Sequence, residues 1–256
     1  MLKKNLLILE LAGPVIVIAA IGTLWSVANV LFDIPRFLLP SPQDVWVAMV
    51  KNVGLLLEQT WATLRVILIG FVISVMIGVP LGYAIVASPR AERTVYPIVV
   101  ALQFFPKTII APLLIVWFGI GIFPKSILVM LMSFFPILVD SALGFRAMDS
   151  RIYLVSASMG ASPRQTFWRF QFPSALPEII TGMKTSMIYA VIAVIVAEYV
   201  GSNDGIGYLI LTSSARMDLD LVFAGIIAAS LLGVMLSLVM GQLERVLLPW
   251  MPHEDR

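Results

Sequence analysis

The sequence predicts an all-α, polytopic membrane protein with six transmembrane helices. Three observations carry that expectation. Sixty per cent of the 256 residues are hydrophobic and 12% are charged, with a mean hydropathy of +0.98, far outside the composition of a water-soluble domain. Six apolar stretches fall at about 11–32, 62–87, 95–118, 125–145, 182–200 and 221–242, each close to the ~20 residues a helix needs to cross a hydrocarbon core of about 30 Å. Period-two alternation, the mark of a barrel strand, is absent.

The first stretch follows "MLKKNLLILELAGPVIVIAAIG", which has the Lys pair and apolar run of a signal peptide. The run extends to Phe32 and no small-x-small pattern closes a short core, so it reads as an uncleaved span. Basic residues set the orientation. With the N-terminus inside, the cytoplasmic segments hold Lys3, Lys4, Arg90, Arg93, Arg146, Arg151, Arg164, Arg169, Lys184, Arg245 and Arg256; the other side holds Arg36, Lys51, Arg65, Lys125 and Arg216. The excess places both termini in the cytoplasm. The chain has no cysteine, and its single histidine, His253, lies in the tail. Metal sites and His-dependent catalysis therefore lack ligands.

On the outer side, "LPSPQDVWVAMVKNVGLLLEQ" opens a helix: Ser41 as N-cap, Pro42 at the first position and Asp44 in a capping-box position. Trp46, Met49, Val50, Val53 and Leu57 recur at helical spacing, which fits either a brace on the membrane surface or a contact for an extracytoplasmic partner. On the inner side, Asp149 and Ser150 can cap a short helix that Gly160 ends in the left-handed conformation. Ser162, Pro163 and Gln165 repeat the cap for a second short helix, which Pro173 and Pro177 are expected to stop. Phe167, Trp168, Phe170 and Phe172 make this second segment aromatic. From the residues alone it is equally a membrane anchor or a docking knob for a cytoplasmic protein.

The stretch "SASMGASPRQTFWRFQFPSALPEIITGMK" resembles the cytoplasmic EAA loop of the permease subunits of binding-protein-dependent ABC importers. Gly160, Ala161, Phe167, Pro173, Leu176 and Pro177 match its pattern, whereas the Glu-Ala-Ala triplet stands here as Leu154, Val155 and Ser156. "LPSPQDVW", "FFPKTIIAPLLIVWFGIG", "FFPILVDSALG" and "AEYVGSNDGIGYLI" look like the corresponding pieces of nitrate, sulfonate, taurine and pyrimidine-precursor permeases, so the likeness runs from about 39 to 242. It implies a type I ABC importer permease fold filling 1–256 as one transmembrane domain, with a coupling loop at about 149–177. In that loop Ser156, Ala157, Ser158, Met159, Gly160, Ala161, Ser162, Pro163, Arg164, Phe167 and Trp168 would meet an ATPase subunit.

The resemblance also implies the assembly: two copies of this chain, a cytoplasmic ABC ATPase dimer and an extracytoplasmic solute-binding protein in the bacterial cytoplasmic membrane. No nucleic acid enters it. The chain has no G-x-x-x-x-G-K-[ST] loop, so it carries no cofactor of its own, and ATP and Mg belong to the partner ATPase. The solute implied is small and anionic or polar, such as a sulfonate, taurine or nitrate, with a vitamin or pyrimidine precursor or an aromatic carboxylate as the alternative. Hydropathy alone would equally allow a secondary transporter or channel, and an intramembrane enzyme finds neither a Ser–His pair nor a second deep aspartate beside Asp140.

Ionisable residues within spans point to a pathway. Lys107 lies about 18 Å from the inner face at 1.5 Å per residue, Asp140 nearer that face, and Glu198 close to the outer one. Lys107 is placed to snorkel toward Glu198 rather than to pair with Asp140. Each also has a packing reading: a snorkelling lysine, an interhelical hydrogen bond for Asp140, a loop cap for Glu198. By the resemblance, the glycine-rich loop holding Asn203 and Asp204 belongs to the outer gate.

Overall fold

Hydrocarbon offers a peptide group no hydrogen-bond partner, so a chain this apolar must close its backbone bonds within helices. The computed structural model describes residues 2–250, and every regular element among them is helical. In chain order these are α1 (Leu2–Leu31), α2 (Pro42–Lys51), α3 (Val53–Val86), α4 (Pro89–Gln103), α5 (Ala111–Phe118), α6 (Ile122–Arg146), α7 (Ser150–Ser158), α8 (Pro163–Thr166), α9 (Phe172–Val200), α10 (Ile206–Ala215) and α11 (Leu219–Leu247). A 3-10 turn, Lys107–Ile110, precedes α5, and a π-helical turn, Phe167–Gln171, joins α8 to α9. His253 and Arg256 lie outside the described residues, as do the side chains of Lys3, Lys4 and Ser150.

Among the described residues, four continuous helical runs are long and apolar enough to cross a membrane: α3, α6, Pro163–Val200 and α11. A fifth crossing is broken, α4 and the segment Lys107–Phe118 meeting at 77°. Its two halves divide the depth of the bundle between them. Val99 of α4 packs with Leu138, and Glu92 pairs with Arg146 at 2.6 Å, both in the later half of α6. Ala111 and Leu114 of α5 lie instead beside Lys125 and Leu128 near its start.

α6 is the middle of the bundle, and small residues let its neighbours approach. Gly70, Ser74, Gly78 and Gly82 recur every four residues on one face of α3. A Cβ added to Gly70 would lie 2.6 Å from the Val129 side chain, one on Gly78 2.9 Å from Ile137, and one on Gly82 2.8 Å from Ser141. The contacts advance in one direction along both helices, so α3 and α6 run parallel. On the other side α9 runs antiparallel: a Cβ on Gly144 would meet the Ala175 carbonyl at 2.7 Å, and one on Gly182 the Cβ of Asp140 at 2.8 Å. Ser133 and Ser186 lock the pair, each hydroxyl donating to the other's carbonyl at 3.2 and 2.7 Å. Lipid tails give apolar helices no hydrophobic reason to associate, so close packing and such bonds hold the layers together.

α2 has the expected capping box, Ser41 and Asp44 bonding each other's backbone. Its Val45 is buried, and Ala48 and Met49 pack with Leu56, Leu209, Ala224 and Leu221, which makes the helix a brace across α3, α10 and α11. Trp46, Val47 and Val50 remain exposed.

One expectation fails. Pro173 and Pro177 do not stop the second short helix, which continues through the π-helical turn into α9. Pro173 falls in the first turn of α9, where a missing N–H costs little. The Phe172 N–H reaches back to the Phe167 carbonyl, so the π turn takes up an extra residue and lets the helix pass. Pro177 removes one bond of the ladder without ending it.

The close approach of α3 to α6 has a direct consequence. Gly70→Ala should destabilise the protein by about 1–3 kcal/mol through overpacking, because Val129 and the Ser126 carbonyl both stand under 3 Å from the new methyl. Gly233→Ala, whose methyl would meet only Val191 at 4.0 Å, should leave thermal unfolding in detergent unchanged.

Candidate functional site

Three places in the fold hold the functional candidates: an elbow at one end, a break at mid-depth and a polar knot at the other end.

The elbow is α7 and α8. Asp149 caps α7 by accepting from the Arg151 N–H at 2.8 Å. Gly160 has φ of +76°, the left-handed value expected, and the Ala161 N–H bonds the Ser156 carbonyl at 3.0 Å, which closes the helix end. Ser162 and Gln165 form the second capping box. The hydroxyls of Ser156 and Thr166 meet at 3.2 Å in a buried clasp that fixes the angle between the helices.

The candidates in the elbow divide. Ala157, Ser158, Met159, Ser162, Pro163, Arg164 and Trp168 are exposed, as are Leu154 and Val155, and Ala161 is half-buried. Ser156 and Phe167 point inward, contrary to their assignment to a docking face. The Phe167 ring lies 4.7 Å from Tyr83, 6.1 Å from Phe145 and 6.1 Å from Phe172. It ties the elbow to the ends of α3 and α6.

The break holds Lys107. Its ammonium donates to the Gln103 carbonyl at 2.9 Å and lies 4.7 Å from the centre of the Phe135 ring. A cation at the carbonyl end of α4 is favourable for the helix dipole, and the ring face adds a cation–π attraction. This local satisfaction replaces the predicted snorkelling toward Glu198. Asp140 is half-buried against Gly182 and accepts no hydrogen bond among the described residues, so the expected interhelical bond is not made.

The knot surrounds Glu198, whose side chain is fully buried. Thr63 of α3 donates to it at 2.9 Å, and the Gly207 N–H at 2.8 Å. Two more N–H groups at the start of α10 are caught by side chains of α3: Gly205 bonds Gln59 at 2.7 Å, and Ile206 bonds Thr63 at 2.8 Å. Glycine is required at 205, where φ is +106° and a Cβ would collide with the Glu198 carboxylate. Lys125, only 3% exposed, completes the knot from α6 by donating to Ser202 at 2.9 Å and Asp204 at 2.5 Å. Asn203 is exposed at the tip.

Glu198 is thus a cap for the following loop, one of its two expected readings. Gln59, Thr63, Lys125 and Ser202 were missed. Lys125 follows a glycine-bounded turn and was counted as an external charge. Its spacing of three and four residues to Leu128 and Val129 puts it on the buried face of α6, and that periodicity was the available signal.

Over residues 70–251 the chain matches the family described as "Binding-protein-dependent transport system inner membrane component". The chain belongs to this family of ABC importer permeases. It is similar to the formylaminopyrimidine transport permease protein ThiX of Halalkalibacterium halodurans, 34% identical over 93% of this chain and 95% of that one. The taurine transport system permease protein TauC of Escherichia coli is 29% identical over 90% and 89%. Among solved structures, an inward-facing MetNI methionine ABC transporter matches with a TM-score of 0.66 at 20% identity, over 77% of this chain and 98% of that one, which shows a shared fold. The permease is therefore a multi-pass component of the inner membrane.

Burial raises the Asp204 carboxyl pKa, but the Lys125 hydrogen bond and charge outweigh it and hold the group below the usual carboxylate range. A lowered folded-state value means that the pair stabilises the permease above the ordinary aspartate pKa of about 3.9; the benefit is lost as pH falls through the lower folded value. Asp204→Asn, which leaves a buried ammonium without its charge partner, should cost about 1–3 kcal/mol at pH 7. Lys125→Met should cost less, because the carboxylate it leaves behind, on the half-exposed Asp204, can be hydrated, whereas the ammonium left by Asp204→Asn is buried. Detergent unfolding of both variants checks the order.

Proposed function

We propose that the permease forms the translocation pathway of a homodimeric importer with six spans per chain and cytoplasmic termini, coupled at the elbow to a separate ATPase dimer that holds ATP and Mg. The observation that carries this reading is mechanical. The elbow is not a flexible loop: it is clasped by Ser156 and Thr166, and α8 runs without a break in the helix into α9. A push on the exposed face formed by Leu154, Val155, Met159 and Trp168 is therefore delivered along α9 and, through the Phe167 ring, to α3 and α6.

At the far end, the knot closes the pathway beneath an extracytoplasmic binding protein. Glu198, Asn203 and Asp204 act as outer-gate residues, and Lys107 and Asp140 lie nearer the pathway's middle and inner parts. The solute is a small polar or anionic organic molecule. ThiX, whose name specifies formylaminopyrimidine, favours the pyrimidine-precursor reading; TauC, named for taurine, favours the sulfonate reading.

Met159→Asp with Trp168→Ala should remove an apolar anchor from the docking face and abolish copurification of the ATPase while membrane insertion persists, since both side chains are exposed. Retention of the ATPase by that variant would contradict the docking assignment. Gly160→Val puts a β-branched residue at positive φ, which costs about 1–2 kcal/mol, with open space around it. The complex should assemble but lose ATP-driven uptake, and normal uptake would show that the elbow angle is unimportant.

A further inference from the structure

The broken span carries a second message. The carbonyls of Phe104 and Phe105 accept no backbone hydrogen bond among the described residues, since the helix ladder ends at Leu102 and the next turn restarts at Pro106. The break stands level with Phe135, over whose ring Lys107 lies, and Phe135 is near the middle of the 25-residue α6. Open carbonyls at mid-depth cannot face lipid; they require protein or water. At the same break Phe104 is 85% and Phe105 52% exposed, and Lys107, half-buried, uses one of its three N–H groups on Gln103. Two exposed aromatic faces, two open carbonyls and a cation with spare donors stand together at this break.

We propose that this break is a solute subsite on the pathway, taking a planar heteroaromatic ring that carries a hydrogen-bond-accepting or anionic oxygen and exocyclic N–H donors. The ring stacks on Phe104, the oxygen accepts from Lys107, and the exocyclic N–H groups donate to the carbonyls of Phe104 and Phe105. Taurine could set its sulfonate on the lysine and its ammonium on a carbonyl but has no planar face, so it leaves the aromatic faces without partners, which is the basis of selection between them. This rests on the pathway role proposed above and names its solute class.

The absence of cysteine supplies the test. Phe105→Cys, which keeps the Phe104 ring, Lys107 and both carbonyls, is introduced into the permease and assembled with its ATPase, and labelling by a membrane-impermeant, water-soluble methanethiosulfonate is timed against Leu238→Cys, an exposed position on α11. Thiols react as thiolates and so report water. Cysteine at 105 should react at least ~10-fold faster than at 238, and added formylaminopyrimidine should slow it while taurine does not. Equal rates at the two positions would overturn a wet subsite. Failure of formylaminopyrimidine to protect, or equal protection by taurine, would overturn ring selection. Failure of the permease to copurify with any ATPase would overturn the importer reading instead, so the two failures are separable.

Discussion

Backbone-to-backbone proximity on both sides of α6 is the constraint on which the structure depends. Glycine and serine every four residues on α3, and Gly182 with Ser186 on α9, let three helices meet at distances that a single extra methyl would prevent. In a solvent as apolar as the helices themselves, only such packing and the hydrogen bonds it allows separate the right neighbours from the wrong ones. The candidate functional features all hang on this three-helix slab: the elbow on α9, the broken span along α6, the knot where α3, α6 and α9 share an end.

The two ends are built from different chemistry. The elbow is held by aromatic contacts and a hydroxyl clasp, and it leaves apolar side chains outside, as a docking surface needs. The opposite end is held by charge and by donors at a helix start. Glu198, Gln59 and Thr63 satisfy the first N–H groups of α10, which would otherwise stay unpaired in a buried loop, and Lys125 supplies the compensating positive charge. One end can therefore give and take a partner while the other resists opening unless several bonds break together.

Much of this was legible in the sequence. The crossings after the first, the capping boxes at Ser41 and Ser162 and the left-handed Gly160 follow from hydropathy, cap chemistry and glycine geometry, all of which are local. What failed was directional. In a helix apolar on every side, periodicity does not distinguish the face toward lipid from the face toward protein, so Phe167 was placed outside and Lys125 was read as a loop charge. Pro173 and Pro177 were read as stops because a π-helical turn has no sequence mark of its own. The local capture of Lys107 by Gln103 and Phe135 depends on a 77° bend that a run of apolar residues does not announce.

As proposed, elbow and slab move as one rigid lever in each copy. Paired spin labels at Tyr153→Cys on the elbow, outside the docking face, and Ile188→Cys on α9, both exposed, would report the distance within a copy in the assembled transporter, with and without trapped nucleotide. Tyr153→Cys alone would report the distance between copies. For a rigid lever, the first distance stays fixed while the second changes on trapping. A change within the copy as large as the change between copies would contradict it.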